Sequence, residues 1–91
     1  MAEVVVTVRL MPESPEQDLK ILEDKAKIAI ENFGGEVGKV DIVPVGFGLN
    51  SLNLIFVMDE AIGSTDELEK ELAGIIGVES VEVTDVRRAI G

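Results

Sequence analysis

Pro44-Val45-Gly46-Phe47-Gly48-Leu49-Asn50-Ser51-Leu52-Asn53-Leu54 joins two apolar runs, Val37 to Val43 and Leu52 to Met58. Glycine reaches backbone angles that a Cβ forbids, and proline cannot donate to a strand ladder. A chain with this composition turns sharply at Gly46-Phe47-Gly48 and carries Phe47 round the bend. The flanking runs therefore read as two strands of a hairpin. Glu36 to Val43 is the first, with Val40 and Ile42 toward the core. In the second, Leu52, Leu54, Phe56 and Met58 alternate with Asn53, Ile55 and Val57. It is apolar on both faces over part of its length, which suits a central position.

On the N-terminal side, Gly34-Gly35 closes a helix whose apolar stripe is Leu19, Leu22, Ala26, Ala29 and Phe33, widened by Ile21 and Ile28. Ser14 as N-cap, Pro15 at the first helical position and Gln17 three residues after the cap predict where that helix begins. Before it, Ala2 to Leu10 alternates as a strand, with Val4, Val6, Val8 and Leu10 on one face. On the C-terminal side, Asp59 to Gly63 reads as a loop. Ser64 and Glu67 repeat the capping spacing, and Leu68, Leu72 and Ile75 stripe a shorter helix closed by Gly77. Val78 to Val86 is the last strand, with Val81 and Val83 inward. Asp85 breaks that alternation, so a bulge or a polar partner is required there.

The order is β-α-β-β-α-β. Two right-handed strand-helix-strand units interleave into one antiparallel sheet of order 4-1-3-2, with both helices on one face. This is an α+β, ferredoxin-like sandwich, read as a single domain over residues 1–91. The opposite face is left open and should carry Val5, Thr7, Asn53, Ile55 and Val57. Such a face either meets water or receives a partner.

Composition narrows the chemistry. The 91 residues contain no cysteine, histidine, tyrosine or tryptophan. Disulfides, thiol nucleophiles, thiolate metal sites and the commonest general base are excluded together. Eighteen acidic and 8 basic residues give a net charge of −10, which repels a phosphate backbone and an anionic bilayer and favours a basic partner. No run approaches the length of a membrane span, and no secretory pattern opens the chain, so a cytoplasmic location is expected. The carboxylates fall mostly on helix faces and in first turns, where water and the helix dipole account for them. Gly46-Phe47-Gly48 lacks the Gly-Lys-Ser/Thr of a phosphate loop. No cofactor, metal or covalent catalysis is expected.

Two features are left. Phe47 lies outside any apolar period, so it either turns into the core or stands at the loop tip as an anchor for a partner pocket. Thr84-Asp85-Val86-Arg87-Arg88 places two adjacent arginines at the end of an acidic chain, as a solvated pair or as a cationic tip for a partner's carboxylate or phosphate.

Met11-Pro12-Glu13-Ser14-Pro15, Pro44-Val45-Gly46-Phe47-Gly48-Leu49 and Val83-Thr84-Asp85-Val86-Arg87-Arg88, in this order and spacing, resemble the archaeal translation elongation factor 1-beta family. Through it the chain is similar to the C-terminal domain of the eukaryotic exchange factor. The resemblance covers essentially the whole chain. It implies a guanine-nucleotide exchange domain acting on the GTPase elongation factor 1-alpha, without covalent chemistry. In the eukaryotic relatives the Phe of the Gly-Phe-Gly motif contacts the GTPase, a position held here by Phe47, and the expected partner contacts are Gly46, Phe47, Gly48, Thr84, Asp85, Arg87 and Arg88. The eukaryotic relatives use a lysine near the C-terminus to disturb the magnesium site of the GTPase. This sequence has no lysine after Lys70, and whether Arg87 or Arg88 takes that role stays open. The alternative from another class is an ACT-like small-molecule-binding regulatory module of the same topology.

Overall fold

Runs with a two-residue apolar period become strands, and those with a three-to-four-residue period become helices. The computed structural model describes residues 2–89. Its elements are β1 (Glu3–Pro12), α1 (Leu19–Phe33), β2 (Glu36–Gly46), β3 (Leu49–Asp59), a 3-10 turn (Glu60–Ile62), α2 (Asp66–Ala73) and β4 (Val78–Arg88). The sheet runs β2-β3-β1-β4 with every neighbouring pair antiparallel, which is the expected order read from the other edge.

The core lies between the sheet and both helices. Val6, Val8 and Leu10 of β1 and Leu52, Leu54, Phe56 and Met58 of β3 are buried against Leu22, Ala26, Ala29 and Ile30 of α1 and Leu68 and Leu72 of α2. On the helix, Ile30 and not Ile21 or Ile28 completes the buried stripe; those two are exposed. At about 100° per residue, Ile21 and Ile28 fall roughly 140° from the centre of the stripe, while Ile30 falls on its flank. Glu23, on the flank of the stripe, pairs with Lys27 at 2.9 Å, and the hydrogen bond from that ammonium holds its carboxyl below its ordinary value.

The first helix starts later than Ser14. Residues 14–17 form a turn in which Gln17 N–H donates to the Ser14 carbonyl at 3.2 Å. The N-cap is Asp18, whose carboxylate accepts from Lys20 N–H at 2.9 Å. Two cap-competent residues compete here. β1 continues to Pro12 and Glu13 N–H donates to the Gly77 carbonyl, so the chain must first cross from the sheet to the helix layer. Pro15 then serves a turn, which its fixed φ suits equally well. At the other end Gly34 is left-handed (φ 108°). Gly34 N–H donates to Glu31 and Gly35 N–H to Ile30, as a Schellman cap requires.

Three further features differ from expectation. α2 stops at Ala73, with Gly74 rather than Gly77 at its C-cap. The segment after β3 forms a short 3-10 turn, capped by Asp59 accepting from Ala61 N–H at 2.8 Å. Ile42 points to the helix side but is 54% exposed, because the apolar cover ends before this part of β2. No helix among the described residues is long and apolar enough to cross a membrane.

The cap assignment has a direct test. Asp18→Ala should lower unfolding free energy by about 1 kcal/mol in urea titrations, and Ser14→Ala by much less. A larger loss from Ser14→Ala than from Asp18→Ala would return the cap to Ser14.

Candidate partner-binding surface

The β2–β3 hairpin closes through Phe47 and Gly48, flanked by the Gly46–Leu49 pair. Phe47 has φ 54° and Gly48 φ 75°, the positive values that a type I′ turn needs at both central positions. Glycine takes that geometry freely. Phenylalanine pays about 1–2 kcal/mol for it, since its Cβ meets the carbonyl oxygen. Phe47 is also 100% exposed, so no packing offsets the strain. The core alternative for Phe47 is thereby removed. The aromatic stands free at the tip.

The tip continues an exposed apolar edge. Val43 and Val45 are exposed along with Ile42, and a bulge between Pro44 and Gly46 leaves Val45 unpaired. These two valines were not singled out in the sequence. The signal was available: Ile42-Val43-Pro44-Val45 is apolar on both sides of the pleat in a strand that cannot be buried on both.

At the other end of the sheet, β4 shifts register against β1 between Val83 (opposite Val8) and Asp85 (opposite Thr7). Thr84 is the extra residue, and its hydroxyl donates to the Thr7 carbonyl at 3.4 Å. This is the bulge that Asp85 required. It reverses the facing of everything after it. Asp85 and Arg87 fall on the open face beside Thr7 and Val5, whereas Arg88 falls on the helix side opposite Val4. The two arginines thus differ in kind. Arg88 grips Glu60 with Nε and Nη2, each 3.1 Å from a carboxylate oxygen, and ties the strand end to the 3-10 turn. Among the described residues Arg87 pairs with its neighbour Asp85, at 2.8 Å, and its side chain is 79% exposed.

The structure does not bring Phe47 and the arginines together. Arg87 lies level with Val5 and Val57, and the hairpin closes just beyond Leu49. The eight strand steps from Leu49 to Val57 correspond to about 26 Å at the rise of a strand. Gly46, Phe47 and Gly48 form one end, and Thr84, Asp85, Arg87 and Arg88 the other.

Between them runs the open face. Val5, Thr7, Asn53, Ile55 and Val57 are half-buried there, as expected. It carries three ion pairs, Lys39 with Asp41 at 3.8 Å, Arg9 with Glu82, and Arg87 with Asp85. Ser51 is buried on this face and its hydroxyl donates to the Val43 carbonyl at 3.2 Å, while Asn53 Nδ2 donates to Ser51 Oγ at 3.1 Å. This polar link pins the hairpin strands to each other below the exposed tip. Among the described residues, no group of three or more acidic, cysteine or histidine side chains is placed to hold a metal ion.

Comparison with known proteins places this geometry. Residues 5–89 match the EF-1 guanine nucleotide exchange domain. The chain is 46% identical over 88 residues to a protein named elongation factor 1-beta from Methanothermobacter thermautotrophicus, covering 97% of this chain and 98% of that one. It is 39% identical over 89 residues to elongation factor 1-beta of Hyperthermus butylicus, covering 97% and 96% of the two. Among solved structures it resembles the C-terminal domain of the MgtC protein from Mycobacterium tuberculosis, with a TM-score of 0.60 at 16% identity, over 98% of this chain and 88% of that one. At that identity the likeness speaks for the fold alone. The extent of the domain match and the near full-length identity to the archaeal factors give one conclusion: the chain belongs to the EF-1 guanine nucleotide exchange domain family.

Proposed function

We propose that the chain acts as one exchange domain that promotes replacement of GDP by GTP on elongation factor 1-alpha during protein synthesis. The observation that carries this reading, beside the family, is the strained and fully exposed Phe47 at the hairpin tip. A residue that gains nothing from its own fold in either backbone or side chain is suited to gain it from a partner. Exchange of this kind is catalysis by differential binding. The factor binds the nucleotide-free GTPase more tightly than the GDP-bound form and so speeds GDP release, with no bond made or broken in the factor. The ACT-like alternative is not favoured, because the exchange-domain match spans residues 5–89.

The contact has two ends. Phe47 with its flanking glycines enters an apolar pocket on the GTPase. Arg87, exposed on the open face beside Asp85, offers a planar cation to a carboxylate or phosphate. Thr84 and Asp85 shape that end, one by fixing the bulge and the other by holding the guanidinium. Arg88 is committed to Glu60 and supports the strand from behind.

Release of labelled GDP from elongation factor 1-alpha tests the reading; no acceleration at micromolar factor would sink it. Phe47→Asn is the sharper probe. Asn-Gly is the preferred type I′ pair, so this variant should be more stable than wild type by about 1 kcal/mol in urea unfolding, yet slower in exchange by about ten-fold. A variant that is both more stable and fully active would separate Phe47 from function.

The arginines should also part company. Arg87→Ala should slow exchange several-fold at unchanged melting temperature. Arg88→Ala should lower the melting temperature by a few degrees, the scale of about 1 kcal/mol in a domain of this size, with a smaller effect on exchange. The reverse pattern would assign the partner contact to Arg88.

A further inference from the structure

Phe47 is not alone at its end of the sheet. Three loops meet there: β1–α1, the hairpin tip and α2–β4. A Cβ placed on Gly48 would lie 3.8 Å from Pro15 Cβ, so the tip rests beside the β1–α1 loop. Glu13 N–H in turn donates to the Gly77 carbonyl at 2.9 Å, and Gln17 packs over Gly77 so closely that a Cβ there would fall 2.5 Å from it. The same packing presents Ile76 outward, 84% exposed, while its neighbour Ile75 turns in to the core. Phe47, Pro15 and Ile76 therefore line up across the tops of adjacent strands, a strip about 10–14 Å long at the usual strand spacing. The loops that carry them adjoin at Gly48–Pro15 and at Gly77–Gln17, so three exposed apolar side chains share one end of the sheet, and such a grouping can mark a partner surface.

The border of the strip has one sign. Residues 11–18, 43–51 and 74–80 contain Glu13, Glu16, Asp18 and Glu79 and no lysine or arginine. A second copy of this chain would bring the same acids against these, whereas a partner with basic residues round an apolar recess would complement them.

We propose that Ile76 is a second apolar anchor, and that Phe47, Pro15 and Ile76 dock together into one elongated apolar recess, rimmed by basic side chains, on the GTPase. The inference rests on the exchange reading and adds a contact that none of the quoted motifs contains.

The test measures GDP release against factor concentration for wild type, Ile76→Asp, Ile76→Ser and Ile28→Asp. Ile28 is exposed on the far side of α1 and serves as the control. Ile76→Asp should raise the half-saturating concentration about ten-fold with the maximal rate retained, and Ile28→Asp should leave both unchanged. Half-saturation should also rise with salt. Where Ile76→Asp lowers the melting temperature, Ile76→Ser decides. Unchanged half-saturation in the folded Ile76 variant overturns the inference and leaves the exchange reading standing. If wild type fails to speed release, the exchange reading falls separately. Fluorescence anisotropy of labelled factor on nucleotide-free elongation factor 1-alpha then judges the strip by itself: tighter binding of wild type than Ile76→Asp supports it, and equal or absent binding overturns it. A wild-type dimer in sedimentation that Ile76→Asp dissolves, with exchange unaffected, would give the strip to a second copy and also overturn it.

Discussion

The burial of one face of the two central strands governs the molecule. β1 and β3 each present an unbroken helix-side row, Val6-Val8-Leu10 and Leu52-Leu54-Phe56-Met58, and both rows are lost to solvent. A fully buried aliphatic side chain is worth about 1.5–3 kcal/mol relative to exposure, and such a row has only one way to be covered. α1 and α2 must both lie on that side. With both helices committed there, the other face has no element left to cover it, and the two outer strands take what cover remains. Val40 of β2 and Val81 and Val83 of β4 pack only partly against the core. The edge strands are held as much by their ladders as by their side chains.

Length does the rest. An 11-residue strand spans about 36 Å, whereas the 15 residues of α1 span about 22 Å and α2 is shorter still. The helices cannot blanket the sheet from end to end. The long axis of the molecule is 42 Å, and its two extremities are sheet without helix cover. Apolar residues there stay in water: Ile42, Val43, Val45 and Phe47 at one end, Val86 at the other. The surfaces proposed for a partner are the parts of the sheet that outrun the helices. The same geometry that stabilises the centre exposes the ends.

The centre was therefore what the sequence made legible. A two-residue period survives in the sequence because one missed alternation would turn a buried residue to water. Element order, sheet order and the inward rows of β1 and β3 could all be read from it. Where several residues satisfy the same local rule, the sequence does not choose. Ser14 and Asp18 are both able to cap, and the crossing distance from β1 to the helix layer selected Asp18. Ile21, Ile28 and Ile30 are equally apolar, and only their angle round the helix separates them. Asp85 announced an irregularity in β4, but not that Thr84 would be the extra residue, nor that Arg87 and Arg88 would end on opposite faces. Ile76 carried no signal as a single apolar residue in a loop. Its meaning comes from Gly77 and Gln17 packing behind it.

Phe47 combines two unfavourable features that have different remedies. Asparagine or glycine at that position would relieve the backbone, and any polar side chain would relieve the exposure. Folding alone favours either change, so the phenylalanine draws no support from the stability of its own domain. What the turn gives it is rigidity. A two-residue loop with both φ values in the left-handed region, closed below by the Ser51–Val43 bond, fixes the backbone from which the ring is presented. An anchor ordered beforehand loses less freedom on binding than one on a mobile loop. On the exchange reading, that rigidity also acts at a distance. Arg87 sits about 26 Å away along the same hydrogen-bonded strands, so the two ends cannot approach each other to suit the partner. A GTPase that engages both must adopt the spacing the sheet sets. If its GDP-bound form holds those two sites at another spacing, binding favours the nucleotide-free form by the difference in contact energy between the two states.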